Sequence, residues 1–77
     1  MRKKKYVRTE DEIKKFGARL RELRIQNGMT MQELADHSDI EYSQISRIER
    51  GIISTSLSNV FTIANVLEIA PKELFEF

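Results

Sequence analysis

The segment Met29–Gly51, MTMQELADHSDIEYSQISRIERG, constrains the fold of this chain more than any other. Thr30-Met31-Gln32-Glu33 has the S/T-x-x-E form of a capping box, and Met29 and Leu34 have the spacing of the hydrophobic staple that accompanies one. The pattern predicts a short helix over about Met31–His37 that buries Leu34 and Ala35, then a turn at Ser38-Asp39-Ile40. A second helix is predicted over about Tyr42–Arg50, with Glu41 as its cap and Ile40 and Ile45 spaced as another staple. Ile45 and Ile48 point inward, which leaves Tyr42, Ser43, Gln44, Ser46, Arg47 and Arg50 outside, and Gly51 stops the helix. Two short helices joined by a tight turn, the second polar and arginine-bearing, are the layout of a helix-turn-helix.

The rest of the chain supplies helices for that pair to pack on. Thr9-Glu10-Asp11-Glu12 has the form of another capping box, and Ile13, Phe16, Leu20 and Leu23 then recur at helical spacing until Asn27-Gly28. After a loop at Ile52–Thr55, Ser56 is the expected cap of a helix whose apolar stripe is Leu57, Val60, Phe61, Ala64 and Leu67. Ala70-Pro71 opens a last turn, followed by Leu74, Phe75 and Phe77, because proline is pre-set for the first helical position. Phe16, Phe61 and the methionines read as core or staple side chains. Seventy-seven residues allow one domain. The prediction is an all-α, five-helix domain over residues 9–77, with the helix-turn-helix at about 30–50, preceded by a flexible basic arm at residues 1–8.

Several chemistries are excluded by what is missing. There is no cysteine and one histidine, His37, which reads as a solvated residue, so no metal site and no catalytic dyad is expected. No nucleophile–base pair or phosphate loop stands out, so neither an enzyme, a cofactor nor a small-molecule ligand is expected. No apolar run approaches the roughly 20 residues of a membrane span, and the N-terminus lacks an apolar signal core. A cytoplasmic protein is the resulting expectation.

Charge is segregated. The arm carries Arg2, Lys3, Lys4, Lys5 and Arg8 and no acid, whereas residues 9–77 hold eight basic against twelve acidic side chains. A nucleic-acid partner would therefore need the positive groups gathered on one face, with help from Lys3, Lys4 and Lys5. Glu68, Glu73 and Glu76, against Lys72 alone, should face away from phosphates.

From Phe16 to Phe75 the chain resembles the XRE (Cro/C1, phage-repressor-like) helix-turn-helix family, carried by RLRELRIQNGMT, MQELA, ISRIERG and LSNVFTIANVLEIAPKELF. The resemblance implies a five-helix DNA-binding transcriptional regulator acting as a homodimer on a palindromic operator, of the prophage-repressor or restriction–modification-controller type. An antitoxin that binds a toxin partner and represses its own operon is the alternative.

By position, the resemblance places Glu41, Tyr42, Ser43, Ser46 and Arg47 on the side facing the major groove of double-stranded DNA. It assigns phosphate contacts to Thr30, Gln32, Ser54, Ser56 and Asn59, and Gln44 and Arg50 join them as outward polar groups. Arg24 and Glu49 match an interior ion pair. Met31 stands where the family usually has glutamine, Glu41 where it has serine, Thr55 where it has proline, and Asp39 and Glu68 where it has glycine.

Arg47 is the strongest candidate for a base contact, since two parallel hydrogen bonds to guanine discriminate by about 1–3 kcal/mol. Its bland alternative is a solvated arginine paired with Glu41 or Ser43. Tyr42 can press on a thymine methyl or bond a phosphate, and Glu41 can accept from cytosine N4. Ile52, Ile53, Leu74, Phe75 and Phe77 are more apolar groups than a loop and a terminus need, and a two-fold interface is expected among them.

Overall fold

The computed structural model describes residues 9–77; the basic segment 1–8, with Lys3, Lys4 and Lys5, lies outside them. The described residues form α1 (Glu10–Gln26), α2 (Met31–Ser38), α3 (Tyr42–Glu49) and α4 (Leu57–Leu67), closed by a 3₁₀ turn at Pro71–Phe75. The all-α expectation holds, but the fifth helix is only this turn. Pro71 starts it and Glu73 Oε2 accepts from the Ala70 amide at 3.0 Å, over a five-residue run. One cluster forms the core, with Leu20, Leu34, Ile45, Ile48, Ile63 and Leu74 fully buried.

The two threonine-led capping boxes differ. At α2 the box is complete: Thr30 Oγ1 accepts from the Glu33 amide at 3.0 Å, and Glu33 Oε1 accepts from the Thr30 amide at 2.8 Å. At α1 Thr9 makes no side-chain cap bond. The reason is backbone geometry. Thr30 has the extended ψ of 164° that a capping residue needs, whereas Thr9 has ψ 7°. Ser56 caps α4 as expected, accepting from the Asn59 amide at 3.1 Å.

All four helices end the same way. One residue turns left-handed, its amide bonds back into the last turn, and the next amide reaches five residues back. The left-handed residues are Gly28, Asp39, Gly51 and Glu68, with φ between 58° and 72°. The returning amides are Met29 to Arg24 O, Ile40 to Ala35 O, Ile52 to Arg47 O and Ile69 to Ala64 O, at 2.9–3.2 Å. In each case the residue that follows is apolar, and Met29, Ile40 and Ile69 pack on or in the core. Asp39 and Glu68 thus occupy conformations that glycine adopts without cost, at the two positions where the family pattern has glycine.

In α4 the sequence pattern misplaced the stripe. The buried residues are Val60, Ile63, Ala64 and Leu67, while Leu57 and Phe61 are exposed at 68% and 51%. Both sets fit a helical period, because LSNVFTIANVL is apolar on more than one face. Leu74 is also corrected: it is fully buried in the monomer's own core, where no partner can reach it. Ile53 is half-buried against the same core. Phe75 stacks at a tilt on Phe16 of α1, with ring centroids 5.2 Å apart.

Candidate nucleic-acid interface

One buried guanidinium ties together the parts that carry the outward polar groups. Arg24 of α1 donates through Nε to Glu49 Oε2 at 2.6 Å and through Nη2 to Glu49 Oε1 at 2.9 Å. Its Nη1 donates to the Met29 carbonyl at 2.8 Å, immediately before the α2 cap. Thus α1, the start of α2 and the end of α3 share one charged, two-pronged contact, the geometry in which arginine–carboxylate bonding is strongest. The hydrogen bond to Glu49 raises the Arg24 pKa above its ordinary value, against the opposing effect of burial. The guanidinium therefore stays charged at any ordinary alkaline pH. Every buried side-chain polar atom among the described residues has a partner.

With Ile45, Ile48 and Glu49 turned inward, the opposite face of α3 presents Tyr42, Ser43, Gln44, Arg47 and Arg50, with Ser46 half-exposed. Tyr42 is 46% exposed. The Arg47 guanidinium makes no hydrogen bond or ion pair with any described residue, so the paired-arginine alternative is absent here. Arg50 folds back, donating from Nε to the Ser46 carbonyl at 3.3 Å. Glu41 has the extended backbone of a cap, but its side chain makes no cap bond, which leaves the carboxylate at the surface.

The remaining predicted phosphate residues flank this face, several of them in local bonds. Thr30 and Ser56 use their hydroxyl oxygens as cap acceptors, which leaves each O–H free to donate outward. Gln32 donates to Asp36 Oδ1 at 3.0 Å, along its own helix. Asn59 Nδ2 donates to Thr55 Oγ1 at 2.9 Å, so Thr55 fastens the loop to α4 where the family pattern has proline. Ser54 is exposed in that loop.

Two open grooves meet at Gln32 and Tyr42. One, of about 470 Å³, brings the cap Thr30 and Met31 and Gln32 of α2 beside Tyr42 of α3. The other, of about 550 Å³, is lined by Asp36, Asp39 and Glu41 next to Ser43. The sequence pattern singled out Glu41 alone, because Asp36 and Asp39 join it only once the turn folds. The three carboxylates beside Ser43 repel phosphate, and each can accept from a base-edge N–H group.

Phe77 and Ile25 line a separate groove along the outer side of α1. The five expected interface residues therefore part company. Leu74 is core, Ile53 partly so, Phe75 and Phe77 lie along α1, and Ile52 is exposed at 59% in the loop before α4. No helix among the described residues is long and apolar enough to cross a membrane.

Comparison with known proteins agrees with this geometry. The helix-turn-helix family HTH_3 matches residues 20–74. The control protein C.BamHI of Bacillus amyloliquefaciens is 36% identical over 63 residues, 80% of this chain and 78% of its own length. The crystal structure of the restriction-modification controller protein C.AhdI from Aeromonas hydrophila superposes with a TM-score of 0.82 at 42% identity, over 84% of this chain and 98% of that one. The clp gene regulator ClgR from Corynebacterium glutamicum gives a TM-score of 0.77 at 28% identity, over 79% of this chain and 65% of its own.

Proposed function

The chain belongs to the HTH_3 (XRE-type) helix-turn-helix family of transcription regulators, and we propose that it is a restriction–modification controller that reads an operator through the outward face of α3. The observation that carries this reading is the unpartnered face of Tyr42, Ser43 and Arg47, on a helix anchored from behind by Arg24. Tyr42, Ser43, Ser46, Arg47 and Glu41 contact base edges. Thr30, Gln32, Gln44, Arg50, Ser54, Ser56 and Asn59 grip phosphates on either side. C.BamHI and C.AhdI, each more than 30% identical to this chain, are a control protein and a controller protein, which favours this reading over the antitoxin alternative.

The working unit is a homodimer in which Leu57 and Phe61, one turn apart on the outer face of α4, pack against their copies. A two-fold dimer sets its recognition helices about 34 Å apart, one turn of duplex. Lys3, Lys4 and Lys5 neutralise further phosphates. Deleting residues 1–5 should lower the slope of log affinity against log salt by about 0.9 for each phosphate no longer neutralised.

Selection from random duplexes with the purified protein tests the function. Two inverted half-sites about one turn apart are expected; recovery of no preferred sequence would contradict the reading. Sedimentation tests the dimer. Phe61→Asp should give a folded monomer, and an unchanged dimer would remove α4 from the interface.

A further inference from the structure

α3 is held differently at its two ends. At its start it hangs from α2 through the left-handed Asp39 and through Ile40, whose amide donates to the Ala35 carbonyl at 3.2 Å. At its finish it lies on α1 backbone against backbone. Gly17 of α1 is buried there, and a Cβ on it would stand 2.2 Å from the Ile48 carbonyl oxygen and 2.7 Å from that of Glu49. From the other side, a Cβ on Gly51 would stand 2.7 Å from Lys14 Cα. The α1–α3 crossing is thus closed by two glycines, Gly17 within α1 and Gly51 just past the end of α3. We propose that this double-glycine contact sets the tilt of α3 and thereby the base pair that Arg47 reaches, which makes Gly17 a positioning residue for sequence recognition. This rests on α3 being the reading helix.

The physical argument is one of leverage. The atoms that Gly17 admits are backbone carbonyl oxygens in the last turn of α3, which cannot rotate away as a side chain can. A methyl group at position 17 must regain van der Waals separation from an oxygen it would otherwise meet at 2.2 Å, which parts the helices by about 1 Å. An eight-residue helix is about 12 Å long, so moving one end by that much with the other fixed tilts it by about 5°. Arg47 is beside the moving end, while Tyr42 and Ser43 are at the fixed one. A two-pronged bond to guanine tolerates only a few tenths of an ångström, so the Arg47 contact suffers first. Gly17 itself sits within α1 at ordinary helical backbone angles, where alanine favours the helix more than glycine does. Hence the methyl's effect falls on the crossing rather than on α1.

The test is selection from random duplexes with three full-length proteins: the wild type, Gly17→Ala and Gly51→Asn. Asparagine tolerates the left-handed backbone at 51 but presses on Lys14 from the opposite side. The Arg47 base pair is identified as the position at which Arg47→Ala loses its preference. Both glycine variants are expected to keep their helical circular dichroism and to lose about tenfold in discrimination at that base pair, with the positions read by Tyr42 and Ser43 unchanged within about twofold. A wild type that selects no sequence would sink the DNA-reading function itself, independently of the glycines. With a selective wild type, three results overturn the proposal: a folded variant with an unaltered preference at every position, a loss spread evenly over the site, or loss of helical signal in both variants, which would make the contact one of stability alone.

Discussion

The α2–α3 pair and the C-terminal part, α4 with its 3₁₀ turn, hide the same kind of core residue but expose opposite chemistry. Outside α2–α3 stand hydroxyls, amides, carboxylates and arginines, and Tyr42 is its one exposed large apolar side chain. Outside α4 and the terminus stand Leu57, Phe61, Phe75 and Phe77, each at least half exposed. A polar face on a rigidly backed helix suits a wet, charged partner such as a duplex. An apolar face on a helix that already has a buried side suits a second protein surface. Under the proposed function the contrast divides labour within one small domain: α3 for DNA, α4 for the copy of the chain.

The largest effects should come from what the two regions share, the core behind them. Glu49→Ala leaves Arg24 buried and unmatched, and should cost about 3–5 kcal/mol in chemical denaturation. An unchanged midpoint would show that the pair does not hold α3. Leu74→Ala should cost about 2–5 kcal/mol as a cavity in the monomer. If it instead dissociated a dimer without destabilising the fold, Leu74 would belong to the interface and the division above would fail.

Smaller changes probe the helix ends. Thr30→Ala removes a working cap and should cost about 1 kcal/mol, whereas Thr9→Ala should stay within about 0.5 kcal/mol, although both lead a T-x-x-E segment. Equal losses in thermal melts would mean that Thr9 caps in solution. At the other terminus type, Glu68→Gly relieves a left-handed residue and should gain up to about 1 kcal/mol, read from the same melts. A loss would mean that the Glu68 side chain contributes more than its backbone costs.

The same contrast explains what was legible in the sequence. In α2–α3 the elements are short and their ends are written in specific residues: Thr30 and Glu33, the left-handed Asp39, Ile40, and Gly51. With ends fixed that closely, the inward faces of Leu34, Ala35, Ile45 and Ile48 follow from helical period alone. The Arg24–Glu49 pair came from family likeness, since residues 25 apart carry no local signal of contact. In α4, apolar residues occupy two faces, so period could not choose between Phe61 and Ile63; only packing against α2 and the 3₁₀ turn decides. Thr9 failed for a related reason, because a capping box is a pattern of residue types, while a cap also needs an extended backbone. Gly17 gave only half a signal, since a glycine inside a helix announces a close approach without naming what approaches.

The division of labour stands or falls on whether α3 reads bases through its unpartnered arginine. The most direct measurement compares the sequence preference of Arg47→Ala with that of the wild type, both selected from random duplexes at the same salt. Loss of about 1–3 kcal/mol of discrimination at one base pair in each half-site, with preference kept at the others, is the expected result. An Arg47→Ala protein that is folded and selects the wild-type site with undiminished preference at every position would contradict it.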